Sequence, residues 1–221
     1  MFSSVLNYDE TKPEAYFAGA RVDWIDQLPA GKGLHILEIG CGHGASAKYA
    51  FDQGICATYT GVEIAEDAAQ IAKRALTKVV VGDVEKIELP FELETFDVLL
   101  MSEVLEHLID PWGTLKRLLG YMKPGAKVFA SSPNVAHKDF VRRLIKGRWD
   151  LTQYGPMDRT HLRWFTPETF AEMFEDAGVE IDHTEPLVAN RTMKERVFST
   201  LTNGRYDHLF WYQINLMGRK K

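Results

Sequence analysis

Short apolar runs alternate along the chain with segments in which apolar residues recur at helical spacing. The runs Leu34–Ile39, Tyr59–Ile64, Lys78–Glu85, Phe96–Ser102 and Lys127–Asn134 are rich in Val, Ile, Leu and Phe and close on or beside a Gly, an acid or a small polar residue. That is the pattern of strands covered on both faces. Between them, residues 45–53, 66–76 and 112–122 have helical periodicity, with Ala68, Ile71, Ala72, Ala75 and Leu76 falling on one face of the second. Lys123-Pro124-Gly125 supplies a helix stop. Strand–helix alternation predicts an α/β domain built on a parallel sheet. Upstream, residues 12–28 read as one helix, with Pro13 in its first turn and Tyr16, Phe17, Ala20, Trp24 and Leu28 at helical spacing. Downstream, Thr166-Pro167-Glu168 opens a capped helix to Ala177 that Gly178 ends. Val179–Pro186 then reads as a sixth strand, residues 193–201 as a helix and residues 209–216 as a terminal seventh strand. Arg219-Lys220-Lys221 reads as a frayed tail.

One strand-to-helix junction carries chemistry. Leu34–Ile39 runs into Gly40-Cys41-Gly42-His43-Gly44. Glycines let such a loop take positive φ and let a ligand approach where a Cβ would clash. The helix start that follows offers unpaired N–H groups and a positive dipole end. The spacing Gly40-x-Gly42-x-Gly44, with Glu38 two residues ahead, is not the dinucleotide G-x-G-x-x-G. It resembles the E/D-x-G-x-G-x-G motif of the class I S-adenosylmethionine-dependent methyltransferases.

That resemblance extends along the chain. Glu63 ends the second strand at the place of the family's ribose-binding acid, and a carboxylate there can accept both ribose hydroxyls. Gly82-Asp83 at the third strand's exit resembles the adenine site, which implies Asp83 and its neighbour Val84. Ser102 at the fourth strand's exit begins Ser102-Glu103-Val104-Leu105-Glu106-His107. The E-x-L-E-H pattern resembles small-molecule methyltransferases of the ubiquinone pathway and of polysaccharide-associated genes. The resemblance implies a Rossmann-like sheet of seven strands in the order 3-2-1-4-5-7-6, with strand 7 antiparallel. It also implies S-adenosylmethionine held by Glu38, Gly40, Gly42, Gly44, Glu63, Asp83, Val84 and Ser102. Leading helices often cover this pocket in the family, so Tyr8 and Tyr16 are further candidates. A nicotinamide-dependent oxidoreductase is the rival enzyme class and a non-catalytic S-adenosylmethionine-binding protein the rival outside catalysis.

Residues 135–165 interrupt the core pattern as an insertion expected to act as a substrate lid. Its residues 150–166 resemble the G-x-x-D-x-T-H-x-R-x-F-T signature of the polysaccharide-associated branch. Lys138, Arg142 and Lys146 lie on one helical stripe near Arg143 and Arg148. A solvated face, an anionic substrate or a membrane surface would each suit them. The acceptor expected is a hydroxyl of a small molecule, a sugar or glycoconjugate first and a phenolic or quinone-pathway hydroxyl second. His107 is the expected general base and His161 its alternate, since imidazole titrates near the working pH. The alternative is a metal held by Glu103, Glu106, His107 and His161, the first three at i, i+3 and i+4 and so able to face one ion from a helix, which resembles the ligand set of small-RNA 2′-O-methyltransferases and would favour manganese, iron or zinc.

Composition bounds this picture. A chain of 221 residues suits one domain, residues 1–221. A net charge of −5 argues against general nucleic-acid binding. Cys41 and Cys56 suggest neither a disulfide framework nor a Cys-rich metal site. Met1–Asp9 lacks a secretory pattern, and no apolar run approaches the roughly 20 residues that span a bilayer. A cytoplasmic setting is therefore expected, while oligomeric state stays open.

Overall fold

The computed structural model describes residues 12–187 and 191–221; Tyr8 and the leader reading of Met1–Asp9 lie outside the described residues. Seven strands form one sheet: β1 (Leu34–Ile39), β2 (Cys56–Glu63), β3 (Lys78–Val81), β4 (Phe96–Ser102), β5 (Met122–Pro133), β6 (Val179–Pro186) and β7 (Gln213–Lys220). Their order is β3-β2-β1-β4-β5-β7-β6, the first five parallel and β7 antiparallel to both neighbours. This is the expected topology. The helices are α1 (Val22–Ile25), α2 (Ala45–Asp52), α3 (Glu66–Ala72), α4 (Pro111–Gly120), α5 (Lys138–Ile145), α6 (Pro167–Asp176) and α7 (Met193–Leu201).

Successive side chains of a strand leave on opposite faces, so each central strand feeds two cores. Ile36, Val98, Leu100 and Phe129 pack on one face with Trp24, Ala47 and Ala50. Leu37, Leu99, Met101 and Val128 pack on the other with Leu115, Leu118, Phe170 and Phe174. Both demands fall on β4, which is why its run is apolar throughout. α6 starts as expected, in a capping box where Thr166 and Thr169 each accept the other's backbone N–H.

Three expectations are corrected. Residues 12–28 are not one helix: a 3₁₀ turn (Glu14–Phe17) and the single turn of α1 flank an open stretch at 18–21. A continuous helix would return the Arg21 N–H to the Phe17 carbonyl. Instead, Arg21 N–H donates to Ser46 Oγ (3.1 Å) and the Phe17 carbonyl accepts the His43 N–H (2.9 Å). Of the expected apolar stripe, Trp24 and Leu28 are buried, whereas Tyr16 is 41% exposed.

The second correction concerns β5, which starts at Met122, so Lys123-Pro124-Gly125 lies inside the strand; the register shifts opposite it, between Phe96 and Val98.

The third is the C-terminus. Leu209 and Phe210 belong to a 3₁₀ turn, and β7 runs on through Lys220. Arg219 pairs with Lys127 and Glu180, Lys220 pairs with Val179, and the Lys221 N–H donates to the Gly178 carbonyl (3.0 Å). Polar side chains concealed this strand end because the side chains meet solvent while the backbone stays paired.

Deleting Arg219–Lys221 should therefore lower stability by about 2–3 kcal/mol, at ~1 kcal/mol for each backbone bond lost. Urea unfolding measures this, and an unchanged midpoint would restore the frayed tail.

Candidate functional site

Beyond the carboxyl ends of β1–β4 lies a cavity of about 730 Å³, within the usual size of a small-ligand site. β1 and β4 lie side by side, and the chain leaves them toward opposite flanks of the sheet. Such a switch point opens a crevice. Glu38, Gly40, Gly42, Glu63, Asp83, Val84, Ser102 and His107 all line it, as does Tyr16.

The glycine loop is held from two sides. Gly40, Gly42 and Gly44 have φ of 71°, 52° and 81°. A Cβ on Gly42 would stand 2.4 Å from the Phe17 carbonyl oxygen, so the leading segment closes directly over a bare backbone. Gly44 is different. It lies off the cavity lining, and a Cβ there would meet Leu76 Cδ1 at 2.4 Å. A Cβ is excluded there by packing and by the left-handed start of α2.

Two buried carboxylates stand at this end. Glu63 Oε2 accepts the Gly42 N–H (2.8 Å) and Oε1 the Ala65 N–H (2.9 Å). Glu38 accepts the Tyr59 hydroxyl (2.9 Å), and burial pushes its carboxyl up to about 7. Asp83 accepts the Glu85 N–H (3.0 Å) and pairs with Lys86.

Arg21 had no pattern to reveal it in the sequence. Its guanidinium lies 3.3 Å from the Trp24 ring centroid and donates to Ser102 Oγ (3.0 Å) and Ser131 Oγ (3.1 Å). Only the break at 18–21 carries it to the cavity wall. From the 135–165 segment, Arg159, Thr160 and Leu162 line the cavity; the stripe Lys138, Arg142 and Lys146 does not. Lys138 pairs with Glu195, Arg142 with Asp139, and Arg148 with Asp150.

The exit of β4 gathers a second group. Leu105–His107 form a 3₁₀ turn, not the helix that would align Glu103, Glu106 and His107. Glu103 takes φ of 53° and accepts from Gln213 (3.0 Å). Glu106, His107 and His161 instead come together, with one ligand atom from each lying within 4.8 Å of the others. The four-residue metal set is thus reduced to three. The His107 and His161 rings are 4.6 Å apart, edge to face. His107 reaches the cavity wall, and His161 sits behind it, its Nδ1 on the Pro156 carbonyl (3.2 Å).

Burial disfavours charge on all three groups. It pushes the Glu106 carboxyl well up, with Glu103 adding to the effect, and pushes the His107 imidazole down to about 3 and the His161 imidazole below its usual value. Glu106 Oε1 accepts no hydrogen bond among the described residues, which leaves it available to a proton or a cation. Among the described residues, no helix is long and apolar enough to cross a membrane.

Residues 9–184 match the family model described as Methyltransferase domain. A ubiquinone biosynthesis O-methyltransferase of Pseudomonas entomophila is 28% identical over 204 residues, covering 89% of this chain and 86% of that protein. The solved S-adenosylmethionine-dependent methyltransferase of Archaeoglobus fulgidus has a TM-score of 0.63 at 22% identity, covering 94% of this chain and 97% of that one. The cyclase SpnF shares the fold too, with a TM-score of 0.59 at 19% identity, covering 94% of this chain and 81% of that one. With the family model spanning most of the chain and the seven strands in their expected order, this protein belongs to the class I S-adenosylmethionine-dependent methyltransferases.

Proposed function

We propose that the protein methylates a hydroxyl of a small molecule, with His107 as the general base. The observation that carries this reading is His107 at the cavity wall, within the same cavity as Glu63 and the glycine loop. Burial pushes its imidazole down to about 3 in the empty protein, below the expected titration near working pH, so it stands neutral there but as a weaker base than a free imidazole. S-adenosylmethionine fits the residues present: backbone without a side chain at Gly40 and Gly42, and a buried carboxylate, Glu63, on the same cavity wall. When bound, it supplies a methyl on a cationic sulfur, so transfer forms an O–C bond, breaks an S–C bond and leaves a neutral thioether. Glu63 would hold the ribose, Asp83 and Val84 the adenine, and Glu38 would face the cationic end. His107 takes the hydroxyl proton.

The wall beside His107 is apolar, made by Val104, Leu108, Ile109 and Leu162. It suits an aromatic ring better than a sugar, and relatives named ubiquinone biosynthesis O-methyltransferases support a phenolic acceptor. The sugar or glycoconjugate reading keeps one support, the polar lid residues Arg159 and Thr160 on the same wall. Arg159 also gives an anionic group a partner. A mass-spectrometric screen for a 14-dalton gain on catechols and on sugars separates the two. Gain on sugars alone would reverse the order.

A metal remains the second reading of the Glu106–His107–His161 group, favoured by the orphaned Glu106 Oε1. Nitrogen and carboxylate donors together suit manganese, iron or zinc. Copurified metal with loss of activity on chelation would support it, and full activity after exhaustive chelation would remove it.

Three further outcomes follow. Glu63→Ala should weaken S-adenosylmethionine by about 2–4 kcal/mol in calorimetry, the cost of removing one partner of buried charged hydrogen bonds. Nicotinamide binding without S-adenosylmethionine binding would contradict the site. Second, the Glu38 carboxyl, held up to about 7, is largely protonated in the empty protein below that pH. A cationic ligand favours its ionised form, so binding should release a proton at pH 6 and tighten as pH rises through 7. Glu38→Gln should abolish the release. Third, His107→Ala should lower turnover about 100-fold or more while leaving S-adenosylmethionine affinity near wild type. Unaltered turnover would end the base reading.

A further inference from the structure

The stretch Asp158-Arg159-Thr160-His161 does more than line the cavity. The Lys12 side chain is 1% exposed and pairs with Asp158, itself 2% exposed, while its Nζ also donates to the Gln153 carbonyl (3.2 Å). Burial alone would raise the Asp158 carboxyl, but the bonds from Lys12 and Thr160 hold it below its usual value. An ionised carboxylate only accepts. Asp158 Oδ1 therefore takes the Thr160 N–H (2.9 Å) and the Thr160 hydroxyl proton (2.8 Å).

That commitment decides what Thr160 can offer to His107. A hydroxyl has one proton, and Asp158 holds it. Thr160 Oγ, 3.1 Å from His107 Nδ1, can then only accept, and so can the Thr160 carbonyl at 3.3 Å. Two acceptors on Nδ1 require an Nδ1–H, which puts the ring's lone pair on Nε2. His161 is set the same way by the Pro156 carbonyl on its Nδ1.

We propose that Lys12, Asp158 and Thr160 form a positioning array that holds the Nδ1–H of His107 and so fixes the ring's tautomer and orientation, leaving Nε2 as its basic nitrogen. The role assigned to Nε2 rests on the reading of His107 as general base. A buried ion pair is weak evidence for stability, because desolvation offsets its attraction. Its use here is geometric: it joins the leading segment to the lid and leaves one arrangement of protons along the path to His107. When His107 takes a proton at Nε2, the resulting imidazolium keeps its Nδ1–H on Thr160, with the Asp158 charge one hydroxyl away.

The test is long-range ¹H–¹⁵N NMR of the histidine rings in ¹⁵N-labelled full-length protein at pH 7, with kinetics beside it. Wild type should show His107 as the Nδ1–H tautomer. Thr160→Val should shift His107 toward a tautomer mixture and lower kcat about 10- to 100-fold, with KM and S-adenosylhomocysteine affinity little changed. Thr160→Ser should restore both. An Nε2–H tautomer in wild type would overturn the array without need of any variant, and so would a Thr160→Val protein with an unmoved tautomer and full kcat. His107→Ala separates the two claims. If it retains turnover while the tautomer is as stated, the base reading fails; if it loses turnover while Thr160→Val changes nothing, the array alone fails.

Discussion

The parallel pairing of β1 with β4 is the constraint on which the rest depends. Ile36–Ile39 lie in register with Val98–Met101, although the strand that follows β1 pairs on its other flank. Connections leaving two such strands diverge, and the gap between them cannot be filled by either loop. The crevice must be closed from above. Two segments do so: the leading stretch, by giving the Phe17 carbonyl to His43, and the 150–165 stretch, through Arg159, Thr160 and Leu162. The buried Lys12–Asp158 pair fastens one to the other.

The central strands were legible because each must satisfy two cores, which leaves continuous apolar runs, whereas their order came from the family resemblance of the motifs at the strand ends. The glycine loop, Glu63 and Asp83 were legible because they follow strand ends at set intervals, and the structure brings them to one cavity. What stayed hidden depends on contacts distant in sequence. Arg21 reaches the cavity only because its N–H leaves the helical ladder for Ser46. Helical periodicity at 12–28 could not show that the Phe17 carbonyl has a better partner in His43. The end of β7 was invisible because backbone pairing, not side-chain burial, holds it. Glu103, Glu106 and His107 read as one helical face, but a positive φ at Glu103 turns that residue toward Gln213. A non-glycine residue held there is a mark of local strain that sequence spacing does not carry.

Fold and chemistry part company here. SpnF shares the architecture under the name of a cyclase, so the sheet alone fixes no reaction. In this chain a polar path runs from Lys12 through Asp158 and Thr160 to His107, with His161 and Glu106 close by. Burial keeps this group from holding net charge cheaply, which leaves its imidazoles as neutral acceptors at working pH.

Hydrogen–deuterium exchange with and without S-adenosylhomocysteine tests the central claim, that this cavity is the donor site and His107 stands at its reacting end. Opening of local segments is what exchange reports. Added protection should appear together at residues 38–43, 63–65, 82–85 and 102–107, while the sheet edge at β6 stays unchanged. Protection confined to other segments, or none at saturating ligand, would contradict the account.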